Sequence, residues 1–108
     1  MNRWGIFSEI EELVKLRDKN CVYCRKKFIK TDHKAKASWE HIINDISITE
    51  PENVALCCVG CNASKGTKPL LTWLNSKYCK EKNIKLDTVA EIVKVHIQKY
   101  VKNKYEAF

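Results

Sequence analysis

The sequence predicts an α-rich α+β fold, with helices at both ends of a chain whose middle is β-prone and bracketed by paired cysteines. Three observations predict it. Two Cys-x2-Cys pairs, Cys21-Val22-Tyr23-Cys24 and Cys58-Val59-Gly60-Cys61, bracket the middle of the chain. From Cys21 to about Asn53 no helical period holds, and short β-prone stretches stand among polar segments. On either side, apolar residues recur at the three- and four-residue spacing of a helix face.

Taken in order, Ser8 with Glu11 makes a capping box, and Ile10, Leu13, Val14 and Arg17 follow at helical spacing, so Ser8 to Asp18 reads as a helix. Phe28-Ile29 and Trp39 to Ile43 are β-prone and separated by the polar stretch Lys30 to Lys36, which suggests a hairpin with long loops. Pro51 and Glu52 punctuate the chain before Asn53-Val54-Ala55-Leu56, and Cys61 to Lys65 starts a helix that Gly66 interrupts. Thr67 with Pro69 opens a helix carrying Leu70, Trp73, Leu74 and Tyr78 on one face. Asp87 or Thr88 caps the last helix, where Val89, Ile92, Val93, His96, Ile97, Tyr100 and Val101 form an apolar stripe suited to the core. Lys94, Lys99, Lys102 and Lys104 beside it read as a solvated face, and Trp39 and Trp73 as core anchors.

A chain of 108 residues with 44% hydrophobic content supports one domain, residues 1–108, and one modest core. A core of that size gains much from a staple. Met1 to Ile10 shows no charged segment followed by an apolar run, and no stretch approaches the roughly 20 apolar residues of a membrane span. A cytoplasmic protein with no membrane association is expected. In that reducing compartment paired cysteines hold metal rather than form disulfides. The formal charge of +7 favours a polyanionic partner, although four zinc-bound thiolates and their ion would lower it to roughly +5. A mildly basic surface that only keeps the protein soluble is the plainer alternative.

The Cys-x2-Cys spacing points two sulfurs at one tetrahedral ion about 2.3 Å away. Cys21, Cys24, Cys58 and Cys61 are therefore assigned to a structural zinc, whose closed four-thiolate site leaves no position for substrate. Cys57 adjoins the second pair but would give x3 spacing with Cys61. It and Cys79 are expected to pack as small hydrophobes.

Around the knuckles stand Trp39-Glu40-His41-Ile42-Ile43-Asn44, Asn53-Val54-Ala55-Leu56-Cys57-Cys58 and Cys61-Asn62-Ala63-Ser64-Lys65-Gly66. Over residues 21–68 their order and spacing resemble the HNH endonuclease family: an acidic residue and His at a strand end, a central Asn before a cysteine knuckle, and a His or Asn just after it. The resemblance implies a small ββα-metal (His-Me finger) core at about 21–68, with C-terminal helices at about 69–105. It implies a metal-dependent endonuclease acting on DNA, with His41 as general base, Glu40 and Asn62 as ligands of a catalytic Mg²⁺ or Mn²⁺, and Asn53 orienting His41. Glu40 stands where Asp is commoner, and Asn62 where His is commoner.

The chemistry is coherent on its own terms. An imidazole titrating near about pH 6.5 can take a proton from water, which is worth about 10²–10⁴-fold. The leaving 3′ oxygen and the pentavalent phosphate gain negative charge that a hard, oxygen-ligated cation would stabilise. Neighbouring residues in a strand project to opposite faces, so Glu40 and His41 line one site only at a bulge or strand end, or else approach the phosphate from two sides. Each residue also has a structural use: Asn53 as a turn residue, Asn62 as a helix cap, and Lys65 and Lys68, candidates for a phosphate grip, as ordinary surface lysines. His33 and His96 have no partner in the motif.

The contrasting function is a non-catalytic zinc ribbon that binds nucleic acid or protein. For a nuclease of this length, a monomer or homodimer is expected, with specificity supplied by the termini, a second copy or a partner protein.

Overall fold

In the computed structural model, residues 5–45, 47, 48 and 50–102 are described, the side chains of 100–102 excepted. The order is helix α1 (Ser8–Arg17), strand β1 (Ala37–His41), strand β2 (Val54–Cys58), then helices α2 (Val59–Lys65), α3 (Leu70–Leu74), α4 (Lys77–Glu81) and α5 (Glu91–His96). A π-helical turn over Ile97–Lys102 continues α5. This is an α+β arrangement of several helices around a two-stranded antiparallel sheet. None of the described helices is long and apolar enough to cross a membrane.

The sheet pairs Ala37 with Cys58, Trp39 with Leu56 and His41 with Val54. Alternation along β1 puts Ser38 and Glu40 on one face and Trp39 and His41 on the other. Trp39 packs on the outer cluster of Ile6, Val14, Val54 and Leu56, which α1 covers. The opposite face meets α2, whose Asn62 Nδ2 donates to Ser38 Oγ and to the Trp39 carbonyl, both at 3.0 Å.

A two-stranded sheet leaves two exposed edges, and the free edge of β2 is covered. Asp18 Oδ2 accepts from the Leu56 N–H at 3.0 Å, while the Arg17 guanidinium donates to the Val54 carbonyl at 2.7 Å and to that of Pro51 at 2.9 Å. The Val22 N–H takes the Leu56 carbonyl at 3.2 Å, and the Val22 carbonyl accepts from Ala90. The end of α1 and the first knuckle therefore both converge on β2, and the residue that precedes α5 is joined to the strand through Val22.

The main core gathers Val22, Tyr23, Ile42, Ala55, Leu70, Trp73, Ile84, Val89 and Val93 with four of the cysteines. Trp73 is fully buried, meets the Tyr23 ring edge-on at 4.9 Å and donates its indole N–H to Ser64 Oγ at 3.0 Å. Val93 and His96 bury the inner side of α5. The stripe's Tyr100 and Val101 side chains, and those of Lys102 and Lys104, lie outside the described residues.

The ends of elements differ from the sequence expectation for local reasons. Phe7, not Ser8, is the cap residue of α1, and no side chain caps it. The helix expected from Thr67 splits at Asn75-Ser76, because Ser76 Oγ accepts the Cys79 N–H and starts α4 afresh. Thr88 closes the turn before α5, accepting from the Lys85 N–H at 2.9 Å, and Ala90 is the cap residue. Phe28-Ile29 forms no strand, since only Asn20 and Lys27 bridge there, around the first knuckle. Gly66 ends α2 as expected, at φ 52°, a region costly for any residue with a Cβ.

Candidate functional site

The two knuckles meet. One sulfur from each of Cys21, Cys24, Cys58 and Cys61 lies within 4.8 Å of the other three. Bonds of about 2.3 Å in a tetrahedron require sulfur edges of about 3.8 Å. The Cys24–Cys58 edge is 3.9 Å, so the set fits a structural zinc with little adjustment. In the first knuckle the Cys24 N–H donates to Cys21 Sγ at 3.4 Å, and in the second the Cys61 N–H donates to Cys58 Sγ at 3.4 Å. Arg25 takes a positive φ of 66° to turn the chain out of the first knuckle.

The Tyr78 hydroxyl donates to Cys61 Sγ at 3.4 Å and lies so near Gly60 that a Cβ there would stand 3.3 Å from it. The glycine inside the second knuckle thus admits an outer donor from α4. Four thiols this close share protons unequally. Hydrogen bonding from Cys21 holds Cys24 far below the usual thiol range and brings Cys58 to about 6, while the reciprocal bonds push Cys21 and Cys61 up. A divalent cation removes that conflict by letting all four ionise. Cys57 and Cys79 are buried outside this set, as small core residues.

On the α2-facing side of β1, Glu40 is buried and accepts the Tyr23 hydroxyl at 2.8 Å. The same oxygen, Oε2, lies 3.1 Å from Lys65 Nζ. Lys65 is buried completely and also donates to the Ile42 carbonyl at 2.9 Å. Burial raises the Glu40 carboxyl above its usual range against the pull of Lys65 and Tyr23, and it pushes the Tyr23 phenol well up, so Tyr23 stays a donor. Lys65, expected as a surface grip for phosphate, is instead an interior cation, because the last turn of α2 faces the sheet. Lys68 is at the surface, its Nζ on the Ser64 carbonyl at 3.0 Å.

These positions bear on the expected divalent ion. Mg²⁺ and Mn²⁺ need hard oxygen ligands with positions left open for water and phosphate. Asn62 has its Nδ2 tied to β1, which leaves Oδ1 as an acceptor. Glu40, however, is 6% exposed and already faces an ammonium. As arranged, Glu40 and Asn62 do not fit such an ion.

His41 ends β1 on the face opposite Glu40, the opposition that strand alternation implies. It is 8% exposed, and its Nε2 is buried without a hydrogen-bond partner among the described residues. Burial lowers its pKa from the usual 6.5, partly opposed by the charge of Asp45, so the ring is neutral near pH 7.

Asn53 is fully buried. Its Oδ1 accepts the Ile43 N–H at 2.7 Å, and its Nδ2 donates to the carbonyls of Ile43 at 3.2 Å and Ile48 at 2.9 Å. Its own carbonyl accepts from the Ile42 N–H at 2.8 Å. Asn53 therefore holds the backbone that leaves His41 rather than the imidazole.

His33 is exposed, and His96 is buried on α5, where burial first and the Lys65 charge second hold its pKa down to about 4. Tyr23, Tyr78 and the interior placement of Lys65 escape a motif reading. The only sequence signals were a tyrosine inside the first knuckle and a lysine four positions after Cys61. No family model, curated protein or solved structure matches this chain.

Proposed function

We propose that the chain is a zinc-stapled endonuclease of the HNH type that hydrolyses the phosphodiester backbone of DNA, with His41 as general base. The observation that carries this reading is the buried Nε2 of a neutral His41 at a strand end, without a hydrogen-bond partner among the described residues. An unsatisfied polar atom of this kind costs roughly 1–3 kcal/mol, and a catalytic role is one of the uses that account for such a cost. The backbone beside it is fixed by Asn53.

In the step assigned to it, His41 takes a proton from a water molecule as that oxygen forms a bond to phosphorus. The bond to the 3′ oxygen breaks and that oxygen takes a proton from solvent, leaving 5′-phosphate and 3′-hydroxyl ends. The net positive charge of the chain draws the polyanion in, and Lys68 offers a surface ammonium to a phosphate. No step is assigned to a divalent ion, because the carboxylate expected to bind it faces Lys65.

Supercoiled plasmid incubated with wild type and His41→Ala, with and without Mg²⁺ or Mn²⁺, tests the reading. Nicking or linearisation by the wild type, lost in His41→Ala at unchanged zinc content, is expected. Equal cutting by both proteins removes His41 from the mechanism.

A zinc-stapled binding module is the second reading, favoured by the four-cysteine cluster and by the engagement of Glu40 with Lys65. It predicts salt-dependent retention of DNA with no turnover under any of these metal conditions.

A further inference from the structure

Glu40, Tyr23 and Lys65 form a closed set. Glu40 is 6% exposed, Lys65 is 0% exposed, and the ammonium has two oxygen partners, Glu40 at 3.1 Å and the Ile42 carbonyl at 2.9 Å. Ile42 directly follows His41, so one lysine on α2 binds both the residue before the histidine and the one after it. A buried carboxylate requires a cation or a proton. Here the cation is covalently part of the chain.

We propose that the Lys65 ammonium is the resident cation of Glu40 and takes the charge-compensating place of a divalent metal ion. Glu40 then ties β1 to α2 as a positioning residue beside His41, and a divalent ion gains the carboxylate only when the ammonium is removed. Tyr23 holds the same oxygen from the first knuckle, so the set also couples the zinc staple to the strand that ends in His41. This goes beyond the nuclease reading and requires no catalysis. Its failure leaves His41 as base untouched, and a failure of plasmid cleavage leaves the cation assignment untouched.

The test is Mn²⁺ binding to the full-length, zinc-loaded chain, read as loss of the free-ion electron paramagnetic resonance signal. Wild type is expected to show no site dependent on Glu40, its binding matching that of Glu40→Gln. Lys65→Met is expected to gain affinity by roughly tenfold or more, the range over which neighbouring groups tune metal sites. The neutral pair Glu40→Gln/Lys65→Met is expected to lose that gain.

A folded Lys65→Met that gains nothing overturns the proposal. If Lys65→Met does not fold, the wild type decides: amide resonances of Glu40, Ile42 and Lys65 are expected to stay sharp at equimolar Mn²⁺. Selective paramagnetic broadening of those three would place a metal at the carboxylate and overturn the proposal as well.

Discussion

The carboxamide of Asn53 brackets the peptide of Ile43, accepting its N–H at 2.7 Å and donating to its carbonyl at 3.2 Å. With the third bond to the Ile48 carbonyl, one side chain closes the loop between the two strands. Asn53→Ala would leave those backbone groups without their partner in a part-buried site. The expected loss is roughly 1–3 kcal/mol of stability, measured by urea denaturation. If the loop positions His41, Asn53→Ala also lowers kcat of cleavage with little change in KM, whereas an equal fall in zinc content and helicity would reduce Asn53 to a folding role.

The zinc prediction follows from where the ligands sit. Cys58 is both the last residue of β2 and the cap residue of α2, while Cys21 and Cys24 belong to a turn hydrogen-bonded to β2. Loss of an ion held there would therefore release both sides of the strand. Chelation, or Cys58→Ser, is expected to abolish the cooperative melting transition, because structural zinc binding contributes folding free energy in small domains. A chelated chain with unchanged circular dichroism and Tm would refute a structural role for the cluster.

Much of the arrangement was legible because its signals are local. The Cys-x2-Cys spacing and the stop at Gly66 depend on chain geometry over a few residues, and both stand in the structure as expected. The opposite faces of Glu40 and His41 follow from strand alternation alone. What the sequence hid was the environment of long side chains. Lys65 reads as a surface lysine because lysines usually are exposed, and only the packing of α2 on the sheet shows its ammonium inside. The helix after Pro69 reads as continuous because Leu70, Trp73, Leu74 and Tyr78 share a face. Ser76 breaks it through a competing side-chain bond that periodicity does not register.

The proposed cleavage has a pH dependence of defined sign. As the proposed general base, His41 would act when neutral, and burial lowers its pKa below the usual 6.5. The rate therefore falls as pH drops through that lowered pKa, and the acid limb of kcat/KM is expected below about pH 6.5. An acid limb well above that value would mean that a different group is the base.

His96 gives the fold its own pH dependence. Its folded pKa of about 4 lies below the unfolded value of about 6.5, because burial and then the charge of Lys65 disfavour the imidazolium. The unfolded chain thus binds more protons between those values. Stability from this residue is fully present above about pH 6.5, falls as pH decreases, and levels off below about 4, with a total on the order of 3 kcal/mol. Glu40 acts with the opposite sign: its raised pKa adds a penalty as pH rises above the usual 4.5. Zinc loss at low pH would lower stability in any variant, so the informative quantity is a difference at matched pH. His96→Phe keeps an apolar, ring-sized side chain and removes the titration. Urea midpoints between about pH 7.5 and 4.5 are expected to fall less steeply in His96→Phe than in wild type. Parallel slopes would show that His96 is not the group whose protonation the folded state resists.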